Sequence, residues 1–198
     1  MLVDAPPDPA AIVRHLEGHG LRLVALLATH GHVDHVGGIG EVSRSQPDQV
    51  PVHLHDADRH MLLNPIATGG TLAALLEYEE LDLRPPELLS GLDDGQMVSG
   101  AGMTFTAIHT PGHTQGSTCF LLHVDGDAPV LFSGDHLFAG SIGRTDLPGG
   151  NHEQLMASMA EKILPLDDAV QVLPGHGDTT TIGHERATNP FVLELLRG

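Results

Sequence analysis

Directly after an apolar run from Leu21 to Ala28, the chain reads Thr29-His30-Gly31-His32-Val33-Asp34-His35. Three histidines and an aspartate within six residues constrain this chain more than any other feature. The apolar run reads as a buried strand. The cluster therefore sits at a strand end, where loops on a rigid sheet present functional side chains. In an extended or turning segment alternate residues point the same way, so His30 and His32 can address one cation. Asp34 and His35, on the following turn, can address a second, and the small Gly31 leaves room for the backbone to bend.

Three downstream positions share that context of apolar strand, small or turn residue, then ligand-type side chain. His113 lies in Thr110-Pro111-Gly112-His113-Thr114, Asp135 in Ser133-Gly134-Asp135, and His176 in Leu173-Pro174-Gly175-His176-Gly177. The chain has 15 histidines, and abundance alone proves nothing; a lone histidine after a strand is usually a hydrogen-bonded surface residue. His15, His19, His53, His55, His60, His123, His152 and His184 read that way, or as ordinary packing. His109 reads the same. His136 adjoins Asp135, and an adjacent strand residue points to the opposite side, so it is left out of the ligand set.

The 198 residues fit one domain spanning 1–198, and 40% hydrophobic content is the globular norm. With 9 Lys+Arg against 26 Asp+Glu the formal charge is −17. That excludes the basic footprint of a nucleic-acid partner and disfavours anionic membranes. No apolar run approaches the roughly 20 residues of a bilayer span. No basic region precedes an apolar stretch at the N-terminus, so no signal peptide is expected and a cytoplasmic location is the default. Cys119 is the only cysteine, which rules out an intrachain disulfide and a thiolate-rich zinc site; its strand context makes it a core residue. No Gly-x-Ser-x-Gly elbow supports serine nucleophile chemistry.

Patterning predicts a helix over Ala10 to Leu16, stopped by Gly18 and Gly20, and another opened by Gly37-Gly38 and running through Ser43. Val52 to His55 reads as a strand, with Asp56 as N-cap of the next helix, and Leu72 to Tyr78 as a helix. Further on, Met103 to Ile108, Thr118 to Val124, Val130 to Phe132 and Ala169 to Leu173 read as strands. His152 to Ile163 reads as an amphipathic helix, and Asn189-Pro190 interrupts a helical tail. The alternation points to sheets in the middle with helices outside.

The order His30-x-His32-x-Asp34-His35, His113, Asp135, His176 resembles the metallo-β-lactamase superfamily. Gly140-Ser141-Ile142-Gly143-Arg144-Thr145-Asp146-Leu147-Pro148-Gly149-Gly150 and Pro174-Gly175-His176-Gly177 resemble its compact glyoxalase II-type, hydroxyacylglutathione hydrolase-like members. The tail from Glu185-Arg186 to Asn189-Pro190-Phe191 is similar to theirs too. The resemblance implies an α/β fold, the αββα sandwich, here with its first β-hairpin lacking or trimmed, since the chain starts at about the family segment matched by Leu2-Val3-Asp4-Ala5. The larger glyoxalase II enzymes also carry a C-terminal helical domain that contacts glutathione, which is not expected in a chain ending at Gly198.

By position, the resemblance implies two zinc ions, with iron or manganese as alternatives. His30, His32 and His113 would hold the first, Asp34, His35 and His176 the second, and Asp135 would bridge both. The expected activity is thioester hydrolysis of a small-molecule substrate by a hydroxide shared between the ions, which Asp34 orients. Arg144 is a candidate for a substrate carboxylate, with a structural salt bridge to Asp146 as the equal alternative. Rival readings within the superfamily are a mononuclear iron persulfide dioxygenase and a lactonase or β-lactamase. A non-enzymatic metal-binding scaffold would need a damaged ligand set. The oligomeric state is not legible.

Overall fold

The computed structural model describes residues 1–64, 82–124 and 126–197; the helix expected over Leu72 to Tyr78 lies outside them. The chain divides into two units, Met1–Leu92 and Asp93–Gly198. Both mix strands and helices, as the alternating pattern predicts.

In the first unit, Asp8 caps the opening helix by accepting from the Ala11 amide at 3.2 Å. Pro9 at its first turn costs nothing because that N–H has no helical partner. This helix, α1 (Pro9–Gly18), joins β1 (Leu2–Val3) to β2 (Leu26–Leu27). Then come α2 (Val33–Val36), α3 (Ile39–Ser45), β3 (Val52–His53), a 3-10 turn (Asp56–Asp58), α4 (Arg59–Leu63) and β4 (Leu89–Ser90). The strands pair in the order β1-β2-β3-β4, all parallel, as crossover helices require. Leu26, Ala28, Ile39, Val42, Val52 and Leu54 fill the core against them. A parallel sheet is covered on both faces, in keeping with the unbroken apolar stretch from Leu23 to Ala28 that contains β2.

Two local expectations shift. Only Leu26–Leu27 of the apolar run pairs as a strand; Leu21 and Val24 at its start are exposed. Asp56 lies inside the 3-10 turn rather than capping a helix, and His55 caps it instead, its ring accepting from the Ala57 amide at 3.2 Å.

The second unit contains β5 (Met97–Gly100), β6 (Met103–His109), β7 (Thr118–Leu122), β8 (Val130–Gly134), β9 (Leu137–Phe138) and β10 (Ser141–Ile142). It continues with α5 (His152–Ser158), a π-helical turn (Met159–Ile163), β11 (Gln171–Pro174), β12 (Thr180–Thr181), α6 (Ile182–Thr188) and α7 (Pro190–Arg197). Six strands run β12-β11-β8-β7-β6-β5, and β9 and β10 form a separate hairpin. All pairs are antiparallel except β8 with β11, which is parallel. Leu131, Leu155, Met159, Ile163, Val172 and Ile182 build the core. Asn189-Pro190 separates α6 from α7, as the proline predicts.

Among the described residues, no helix is long and apolar enough to cross a membrane. Cys119 is fully buried on β7, 3.3 Å from the Thr110 hydroxyl. Burial pushes its thiol up to about 12 from 9.0. The folded protein therefore keeps the thiol protonated where the unfolded chain would ionise it, so Cys119 lowers stability as pH rises through that window. Native protein at pH 8 is expected to react with Ellman's reagent at least ~100-fold more slowly than the guanidinium-unfolded chain. Rapid stoichiometric labelling of the native state would contradict this burial.

Candidate metal centre

Two histidines of the first unit are oriented by one carboxylate. Asp4 follows β1 with a left-handed φ of 57°, unusual for a non-glycine residue. Its Oδ1 accepts from the Thr29 amide at 2.7 Å. Its Oδ2 accepts from the Thr29 hydroxyl and from His35 Nδ1, each at 2.8 Å. These bonds fix two tautomers. His35 carries its proton on Nδ1, leaving the Nε2 lone pair for a cation. The Thr29 hydroxyl spends its only hydrogen on Asp4, so at 3.0 Å it must accept from His30 Nδ1–H, and Nε2 of His30 carries that ring's lone pair.

The alternate residues His30 and His32 bring their rings together. His32 is extended (φ −68°, ψ 144°) at the start of α2, and the His30 and His32 rings lie edge to face 4.8 Å apart. The His30 and His35 rings are 4.1 Å apart, and all three imidazoles are buried. Helix α2 places Asp34 Oδ2 3.9 Å from His35 Nε2. Gly31 is required by a close approach: a Cβ there would come within 2.7 Å of the Met61 Cβ. Its amide donates to the fully buried Asp58 at 2.9 Å.

In the second unit, the parallel pair β8 and β11 ends side by side. Pro174 is in register with Gly134, and the Gly175 amide donates to the Gly134 carbonyl at 2.9 Å. Asp135 and His176 leave the sheet at that common edge. Asp135 Oδ2 is 3.6 Å from His113 Nε2 and 3.8 Å from His176 Nε2. Two donors on one tetrahedral ion with bonds of about 2.1 Å sit about 3.4 Å apart, so this carboxylate oxygen is spaced to share a cation with each imidazole. His113 Nδ1 donates to the Arg144 carbonyl at 2.7 Å, which again directs the Nε2 lone pair inward.

Two glycines permit this packing. A Cβ on Gly143 would come 1.7 Å from the Asp135 carbonyl oxygen and 3.3 Å from His113 Nδ1. Gly112, at φ 143°, lets the backbone of Leu155 in α5 pass where a side chain would begin. The remaining candidates fall elsewhere. The Arg144 guanidinium lies in an exposed two-bond ion pair with Asp146, at 2.7 and 2.8 Å. His109 bonds the Gln115 carbonyl at 2.9 Å. His136 is buried, and among the described residues neither ring nitrogen has a hydrogen-bond partner. Burial and the nearby His113 hold its pKa down at about 3, so the ring is neutral.

Asp4, Asp58 and Gly143 were not singled out by sequence reasoning. Asp4 carried a readable signal, because Leu2-Val3-Asp4 repeats the pattern of apolar pair then ligand-type residue.

Residues 1–176 match the profile described as "Metallo-beta-lactamase superfamily". The chain belongs to the metallo-β-lactamase superfamily. The hydroxyacylglutathione hydrolase GloC of Haemophilus influenzae is 34% identical over 191 residues, 96% of this chain and 86% of that protein. Among solved structures, the BLEG-1 B3 metallo-β-lactamase is 40% identical with a TM-score of 0.82, covering 96% of this chain and 88% of that one. TTHA1623, solved in a di-iron-bound form, is 36% identical with a TM-score of 0.77, covering 96% and 87%. Superfamily membership makes this chain a metal-dependent hydrolase with the metallo-β-lactamase fold.

The Asp4 hub yields a metal-independent test. Asp4→Ala leaves the Thr29 amide and hydroxyl and the buried His35 Nδ1–H without this acceptor, so metal-free protein is expected to lose about 3 kcal/mol in urea unfolding. An unchanged midpoint would remove Asp4 from its place at the base of the site.

Proposed function

We propose that this superfamily member is a binuclear thioester hydrolase, with both units acting as one domain. The observation that supports it is that each unit carries donor atoms whose tautomers and spacing suit cations. His30, His32 and His113 are assigned to one ion, Asp34, His35 and His176 to the other, and Asp135 to both. Zinc fits the nitrogen and oxygen donors, and iron is the alternative suggested by the di-iron relative. Ions held this way supply an activated water near neutral pH and polarise the substrate carbonyl.

The chain's own groups do the rest. Asp34, the least buried donor of the first unit, orients the attacking water. The Nδ1 bonds of His35 and His113, to Asp4 and to the Arg144 carbonyl, hold those rings in the tautomer that leaves the Nε2 lone pair for a cation. Thioester specificity is proposed from likeness to GloC. The likeness to BLEG-1 favours β-lactam hydrolysis as the second reading.

The test is thiol release from a panel of acyl thioesters, including S-lactoylglutathione, with and without chelator, beside a β-lactam. Chelator-sensitive thiol release is expected. His32→Ala is expected to lower turnover at least ~100-fold and to reduce bound metal; full activity in that variant would sink the proposal. No release from any thioester by metal-loaded protein, with β-lactam turnover instead, would shift the assignment to the second reading.

Arg144 is proposed to meet a substrate carboxylate by exchanging it for Asp146, since an exposed ion pair is weakly held. Arg144→Ala is expected to raise KM about tenfold for carboxylate-bearing thioesters and to leave neutral ones unchanged. Equal effects on both classes would return Arg144 to a structural role.

A further inference from the structure

The second unit contains a buried carboxyl group outside the ligand set. Glu185 on α6 is fully buried, as is Asn189 at the end of that helix. Glu185 Oε2 accepts from the Gly140 amide and from Asn189 Nδ2, each at 2.8 Å. Its Oε1 accepts from the Thr180 hydroxyl at 2.6 Å. Asn189 Nδ2 also donates to the Ser141 carbonyl at 3.0 Å.

These bonds grip the tip of the β9–β10 hairpin, where Ala139-Gly140 turns the chain and Gly140 sits at φ 69°. The two strands leaving that tip run back to Asp135 on one side and to Gly143 and Arg144 on the other. The Arg144 carbonyl holds His113. Phe138, in the same hairpin, sets its ring edge to face against His176, with centroids 6.3 Å apart. Thr180, the third partner, opens β12 four residues after His176.

We infer that Glu185 is a positioning residue for the metal centre: through the β9–β10 hairpin and Thr180 it sets the placement of Asp135, His113 and His176. It touches neither substrate nor ion. This rests on the metal assignment under Proposed function. The chemistry predicts a graded response. Glu185→Gln can keep the clamp, because its oxygen can accept from Gly140 and Asn189 while its amide donates to the Thr180 hydroxyl, which is able to accept. Glu185→Ala leaves the Gly140 amide, the Thr180 hydroxyl and the buried Asn189 amide without this acceptor and frees the tip.

The experiment titrates full-length protein with Zn²⁺ in a chelator-buffered series, at a temperature where circular dichroism shows each variant folded. Leu16→Ala, a core truncation in the first unit, controls for lost stability. Glu185→Ala is expected to bind its weakest zinc equivalent at least tenfold less tightly, as loss of outer partners of ligands does. Glu185→Gln should stay within about threefold of wild type, and Leu16→Ala should match wild type. If Glu185→Ala does not fold, Thr180→Val removes one bond of the clamp and is expected to weaken the same equivalent about threefold.

Amide exchange in metal-free protein reads the clamp separately. The Gly140 N–H should be protected in wild type and exposed in Glu185→Ala, or partly deprotected in Thr180→Val. Wild-type zinc affinity in the Glu185→Ala variant, equal weakening in Leu16→Ala, or unchanged exchange at Gly140 would each overturn the inference. Wild-type protein that takes up no zinc, iron or manganese would instead overturn the metal assignment, and the exchange result would still judge the clamp.

Discussion

The Asp4 carboxylate ties three points of the first unit that are 25 and 31 residues apart in sequence: its own strand end, Thr29 after β2, and His35 in α2. Two parallel strands and the helix after the second converge on it. The bond to Thr29 decides the proton on His30, and the bond to His35 decides the proton on His35. One anion therefore sets both the path of the loop and the direction in which two lone pairs face. The left-handed φ of Asp4 is the backbone strain that goes with this placement.

The second unit reaches a similar end by a different route. There a backbone carbonyl, that of Arg144, takes the Nδ1 proton of His113. A carbonyl can do this only if the segment that carries it lies against the ligand loop, and Gly143, just after β10, makes that approach possible by having no Cβ to meet the Asp135 oxygen. Side-chain polarity sets the lone pairs in one unit, and close backbone packing does so in the other. Both put a proton on Nδ1 and turn Nε2 toward the site, the tautomer a metal ligand needs.

How much of this was legible follows from the range of each interaction. The His30-to-His35 cluster could be read because its chemistry is packed into one turn of chain. His113, Asp135 and His176 could be read because each follows an apolar strand, and β8 and β11 do end at a common edge. The helix from Gly38 and the break at Asn189-Pro190 followed from local glycine and proline chemistry. The short span of β2 did not, because hydrophobic patterning cannot say that Leu21 and Val24 lie outside the paired part of the run. Asp4, Asp58, Gly143 and Glu185 act on residues far away in sequence, so spacing rules say nothing of them. Glu185 entered only as part of a resemblance, and its buried hydrogen bonds supply the physical reason for that segment.

These outer contacts also bear on why such a site selects a cation over a proton. A buried imidazole whose Nδ1–H is already bonded can still take a proton on Nε2, but the charge would then sit among other imidazoles that could also charge. Burial penalises every added proton, and each protonated ring repels the next. A divalent ion at such lone pairs would meet more than one of them at once, and a carboxylate oxygen spaced as that of Asp135 is from His113 would repay part of its lost hydration. The same crowding that makes a cluster of buried histidines unfavourable for protons makes it favourable for a metal, provided each ring is held in the right tautomer. That proviso is what Asp4 and the Arg144 carbonyl satisfy.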